Sequence, residues 1–143
     1  MLSAQMTDDH RHCDELFADA ESAAHEGNAE AATEAFAAFV EAMETHLGAE
    51  EAVLFPEFEM ATGMSHGGPT AVMRMEHEQM RGMLSRMQSA LAGGDLDEFL
   101  GLAETLNILI QQHNMKEEQM LYPMCDRALG ERAAALAERL PGR

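Results

Sequence analysis

The chain has no tryptophan, one tyrosine, two cysteines and only nine lysines and arginines among 143 residues. Each scarcity excludes something. Two cysteines, Cys13 and Cys125, are too few for a disulfide framework, so a reducing cytoplasm is the expected compartment and both thiols are expected to be buried. Nine basic against 26 acidic residues give a formal net charge of −17. Nucleic-acid binding needs a basic footprint and anionic membranes repel an acidic surface, so neither is an expected partner. No apolar run approaches membrane-spanning length. The first ten residues, MLSAQMTDDH, lack the basic and apolar regions of a signal peptide. What remains is rich in alanine, methionine, leucine and glutamate, all good helix formers, in a chain of single-domain length. The expectation is one all-α domain over residues 1–143.

One stretch occurs twice. Residues 46–56 read HLGAEEAVLFP and residues 113–123 read HNMKEEQMLYP, both H-x3-E-E-x2-L-[FY]-P, 67 residues apart. On a helix, positions i and i+4 share a face. His46 with Glu50, and His113 with Glu117, therefore each present an imidazole and a carboxylate together. Two such pairs facing each other make a nitrogen and oxygen cage, which is metal chemistry.

Apolar spacing supplies the frame. Thr7 reads as the N-cap of a first helix running to about His25, stopped by Gly27-Asn28, with Cys13, Phe17, Ala20 and Ala24 inward. A second helix from Ala29 places His46 and Glu50 on the stripe of Phe36, Phe39, Met43 and Leu47, and Pro56 is expected to kink or end it near residue 55. A third helix spans about Thr70 to Ala92, with His77 in a seam of Met73, Met80, Leu84 and Met87. Asp95 caps a fourth carrying Leu106, His113 and Glu117, kinked at Pro123 and ended at Gly130; residues 131–140 form a short terminal helix. Short loops make this an antiparallel up-down-up-down four-helix bundle.

Counted from the turns, His10, His46, His77 and His113 fall at one level within about a turn, and His10 fits that level better than His12. A lone histidine on an apolar face is ordinarily a satisfied core residue. Two carboxylates in the same core, with no lysine or arginine on the seam, are harder to accommodate, because burying an unpaired charge costs several kcal/mol or more. A metal removes the difficulty. Six side chains exceed the needs of one tetrahedral zinc, so a dinuclear site bridged by Glu50 and Glu117 is expected. Glu51 and Glu118, one position on, read as solvated or supporting groups rather than ligands. Tyr122 reads first as core packing and second as a hydroxyl near the bridge, and His25 and His66 as surface residues.

These residues, DHRHCDELF at 9–17, HLGAEEAVLFP, EH at 76–77 and HNMKEEQMLYP, resemble the hemerythrin-like (HHE) cation-binding domain family over residues 7–130. The resemblance implies a four-helix bundle holding two non-haem irons bridged by the two glutamates and a solvent oxygen. His10, His46, His77 and His113 would be terminal ligands, and O2, NO or peroxide the small ligand. Oxygen-carrying members have H-x3-H on the third helix, where this chain has Met73-x3-His77. One iron would then have an open or solvent-filled position, or recruit another group such as His12, and the four-histidine pattern is more like sensing or detoxifying members than bulk carriers. The rival readings are a storage module of the same fold without turnover, a ferritin-like di-iron enzyme, disfavoured because no E-x-x-H occurs, and a metal-free helical interaction protein. No electron-transfer motif is read in the chain, so turnover is not read from the sequence, and the lack of an attached output domain in it disfavours the sensor reading.

Overall fold

In the computed structural model, which describes residues 2–64 and 66–142, the chain forms seven α-helices and two π-helical turns, with no strand among the described residues. Helix α1 spans Leu2–His25 and α2 Ala29–Ala49; a π turn at Glu50–Leu54 joins α2 to α3, Phe55–Thr62. Helix α4 spans Pro69–Ala92 and α5 Leu96–Lys116; a second π turn at Glu117–Leu121 leads to α6, Tyr122–Leu129, and α7 spans Arg132–Ala137. The expected all-α bundle is present. No helix among the described residues is long and apolar enough to cross a membrane.

The two helical hairpins repeat one design at the 67-residue offset already seen in the motif. Gly27 (φ 75°) and Gly94 (φ 71°) adopt the left-handed conformation that ends a helix. The amides of Asn28 and Asp95 bond back to Ala23 O and Ala90 O. Asn28 and Asp95 then accept from the amides of Ala31 and Glu98, capping the next helix. Gly63 and Gly130, again 67 apart, end α3 and α6.

Two expectations are corrected. Helix α1 begins at Leu2, not after Thr7, because Leu2 and Met6 are buried against the C-terminal segment and carry the helical face one turn further back. The Gln5 amide ties that segment down by donating to the carbonyls of Ala137, Leu140 and Pro141 at 2.8, 3.0 and 3.1 Å. Nor does Pro56 end its helix near residue 55, whereas the fourth helix runs on past Pro123 to Gly130 as expected. A proline removes an amide donor and crowds the preceding turn, and here the turn before it widens to i→i+5 bonding, Phe55 N to Glu50 O and Tyr122 N to Glu117 O. The chain continues helically through both prolines.

The core is divided into two apolar layers. Toward the hairpin turns, Phe17, Phe36, Phe39, Phe99, Met80, Met87 and Leu106 pack together, with the Phe36 and Phe99 rings edge to face at 5.2 Å, worth about 0.5–1.5 kcal/mol beyond burial. Toward the opposite end, Leu2, Met6, Leu54, Phe55, Met73, Leu121, Tyr122 and Leu136 form the second layer. Between the layers lies a polar stratum.

Candidate metal centre

All six residues singled out from the sequence meet in that stratum. His10, His46, Glu50, His77, His113 and Glu117 are each 0–4% exposed. They form two overlapping clusters, His10–His46–Glu50–Glu117 and Glu50–His77–His113–Glu117, each with one donor atom per residue lying within 4.8 Å of the others.

The glutamates divide their oxygens between the clusters. Glu50 turns Oε2 to His46 Nε2 (3.5 Å) and Oε1 to His77 Nε2 (3.1 Å). Glu117 turns Oε1 to His10 Nε2 (3.0 Å) and Oε2 to His113 Nε2 (3.3 Å). Each carboxylate thus offers one oxygen to each of two positions, which is how a carboxylate bridges a pair of cations.

Every imidazole is aimed by a second carboxylate. The Nδ1 atoms of His10, His46, His77 and His113 lie 2.7, 2.7, 2.7 and 2.8 Å from Glu118, Asp9, Glu51 and Glu76. A carboxylate on Nδ1 fixes the ring and leaves Nε2 free for a metal, the usual support of a ligating histidine. Asp9 and Glu76 serve the histidine of their own hairpin; Glu51 and Glu118 cross to the other one. Glu51 and Glu118 therefore have the supporting role among those expected. Asp9 and Glu76 lay unassigned within DH and EH; the signal was an acid immediately before a histidine, twice, 67 residues apart. Arg81 pairs with Glu51 at 2.7 Å, and Lys116 pairs with Glu76. Among the described residues, no lysine or arginine forms an ion pair with Asp9 or Glu118.

Tyr122 is not merely packing. Its hydroxyl lies 2.6 Å from Glu50 Oε2, 2.9 Å from Glu117 Oε1, 3.1 Å from His10 Nε2 and 3.2 Å from His46 Nε2. On an α-helix a residue five places on points about 140° away; the π turn brings Tyr122 back over Glu117. The equivalent Phe55 stacks on His77, ring centroids 5.5 Å apart. His12 is exposed beside Asp8, Asp9 and Thr45 and belongs to neither cluster. His25 and His66 are exposed. Cys13 and Cys125 are free and buried, and burial pushes both thiols up to about 12.

The electrostatics couple the histidines to the two glutamates. Burial opposes charge on His46 and His113, but Glu50 beside the first and Glu117 beside the second outweigh it, raising them to about 10 and about 9. Burial likewise opposes the charge on Glu50, yet His46 and the surrounding hydrogen bonds hold it well below the carboxylate range. Burial, then the two carboxylates, pushes Tyr122 well above an ordinary phenol. Glu50 Oε1 with His77 Nε2 (3.1 Å) and Glu117 Oε2 with His113 Nε2 (3.3 Å) are close pairs that lack hydrogen-bond geometry. Those four atoms belong to the four residues of the second cluster. Buried polar atoms without hydrogen bonds are rare and costly, and four of the five in the described residues lie in this one cluster, the fifth being Asp126 Oδ1. The donor set fits a metal.

A helical bundle with two overlapping imidazole–carboxylate clusters, each able to hold a metal ion, has the make-up of a cation-binding protein. The model of the hemerythrin HHE cation binding domain matches residues 1–125. The chain belongs to that family. Neither the curated proteins nor the solved structures offer a significant match.

Proposed function

We propose that the chain binds two iron ions, one in each cluster, and uses them to bind or react with O2, NO or peroxide in sensing, detoxification or iron handling rather than bulk O2 carriage. The observation that carries this reading is the division of both glutamate carboxylates between the two clusters, a geometry with no purpose for a single ion. The donor chemistry supports iron: neutral imidazole with carboxylate suits it, whereas six side chains are too many for one tetrahedral zinc. Two such ions, when bound, supply paired one-electron chemistry.

The remaining functions fall to the chain. His10, His46, His77 and His113 would be terminal ligands, and their Nδ1 partners hold the rings in place. Glu50 and Glu117 would set the spacing of the pair. The apolar layers on either side bury the six residues and keep bulk water from them. Two free, buried thiols suit a reducing cytoplasm.

Elemental analysis of the purified chain tests the proposal. Two irons per chain are expected, falling sharply in Glu117→Ala. A full metal complement in that variant overturns the bridging assignment. A chain that is folded without metal and indifferent to chelators overturns the proposal as a whole.

A further inference from the structure

The two half-sites come from one motif but differ where the motif allows phenylalanine or tyrosine: Phe55 in the first copy, Tyr122 in the second. We infer that Tyr122 is a further ligand of the metal held by His10 and His46, so the two metal positions are inequivalent and an added small ligand binds on the His77–His113 side. The inference rests on the dinuclear reading above.

Three independent features carry it. The first is distance. The Tyr122 oxygen lies 2.6–3.2 Å from one donor atom of every member of the first cluster. Adjacent ligands around a six-coordinate ion with bonds of roughly 2.1 Å sit about 3 Å apart, so the oxygen already stands at ligand spacing. The donors of the second cluster have no such neighbour, since Phe55 offers only a ring face to His77. The second feature is the backbone. The π turn at Glu117–Leu121 brings Tyr122 over Glu117, and the matching turn in the first hairpin brings in a side chain with no donor. The third is charge. The carboxylates orienting His77 and His113 are offset by Arg81 and Lys116. Those orienting His10 and His46, Glu118 and Asp9, have no lysine or arginine ion pair among the described residues. The side with the phenol is therefore also the more anionic, and favours the more highly charged ion.

Counting protein donors gives five around the first metal and four around the second. On coordination the metal replaces the phenol proton, which leaves to solvent. No other change of bonding is involved. The His77–His113 metal would have one protein donor fewer, so the added ligand is assigned to it.

The test uses the full chain loaded with iron and oxidised in air to the ferric state, with iron counted and the visible absorption and resonance Raman spectra recorded. Because Tyr122 is the sole tyrosine, any tyrosinate-to-iron charge-transfer band belongs to it. The expected result is two irons with such a band, Tyr122→Phe keeping two irons and losing the band, and azide adding its own absorption without disturbing the tyrosinate modes. Two irons with no tyrosinate band overturns the inference while leaving the dinuclear site standing. One iron in the native chain but two in Tyr122→Phe shows the hydroxyl filling a metal's place, and also overturns it. Azide that displaces the tyrosinate modes overturns the assigned open position. Absence of iron refutes the underlying dinuclear reading instead. The native spectrum needs no variant, so a variant that fails to fold does not block the test.

Discussion

Replacing Glu50 by glutamine separates the electrostatic role of that side chain from its shape. Glu50 is fully buried and faces His46 Nε2 at 3.5 Å, His77 Nε2 at 3.1 Å and the Tyr122 hydroxyl at 2.6 Å. Glutamine retains the volume and an oxygen for Tyr122 but removes the charge. In the metal-free chain below neutrality His46 is protonated: burial works against that charge, and Glu50 is the foremost group holding it. Removing one partner of a buried pair costs about 3–5 kcal/mol. At roughly 2–4 °C per kcal/mol for a chain approaching this size, Tm should fall by on the order of 10 °C at about pH 6. The cost should shrink with pH. Above His46's value of about 10 the imidazole is neutral, Glu50 is a buried charge without its counter-ion, and Glu50→Gln becomes neutral or stabilising. Calorimetry of native and variant chains in chelator, at about pH 6 and about pH 10.5, measures both limits. An equal penalty at both refutes the pairing argument, because a steric defect does not titrate.

The metal-free protein should also lose stability as pH rises. His46 and His113 are raised from 6.5 to about 10 and about 9, so their contribution is fully present below pH 6.5 and lost through the interval up to those values. Glu50 is lowered from 4.5, so its contribution is present above that pH and lost as acid protonates it. Urea midpoints in chelator should peak between those limits, and a flat profile up to about pH 10 contradicts the assignment. Asp9→Asn and Glu118→Gln should weaken iron binding by roughly 10–100-fold without loss of helicity, measured by competition with a chromogenic chelator; unchanged affinity removes their orienting role. Phe36→Ala, in the layer nearer the hairpin turns, should cost about 3–5 kcal/mol yet leave the iron count of the folded chain intact. A parallel loss of iron shows that the layers are not independent.

What was legible in the sequence depended on whether a contact lies along one helix or between helices. His46 with Glu50 and His113 with Glu117 are one turn apart, so spacing alone pairs them. That all four histidines share a level follows from counting residues back to the turns. The Nδ1 partners are different. Asp9 reaches His46 and Glu118 reaches His10 across helix interfaces, and no single-helix periodicity encodes which neighbour a side chain meets. Tyr122 was obscured by the backbone itself. Its hydroxyl enters the site only because a π turn precedes Pro123, whereas proline in a helical pattern reads most simply as a break. Thr7 misled in a similar way. It is a good capping residue, but the burial of Leu2 and Met6 outweighs a local cap, and tertiary packing extends α1 through it.

The repeat also explains why the site is indivisible. Each cluster takes two histidines and a glutamate from one hairpin and a glutamate from the other, and Glu51 and Glu118 orient histidines of the opposite hairpin. Neither hairpin alone can build a cluster. An ion bound in either position therefore favours the packed bundle over separated hairpins and stabilises the fold by linkage. The missing fifth imidazole does not break this symmetry, because methionine stands four residues before the histidine in both copies, Met6 before His10 and Met73 before His77. Within the stratum itself the asymmetry comes from the single difference between Phe55 and Tyr122, and around it from the placement of Arg81 and Lys116. Both set the His10–His46 half apart from the His77–His113 half. A duplicated frame can thus hold two chemically distinct imidazole–carboxylate clusters with few departures from its own repeat.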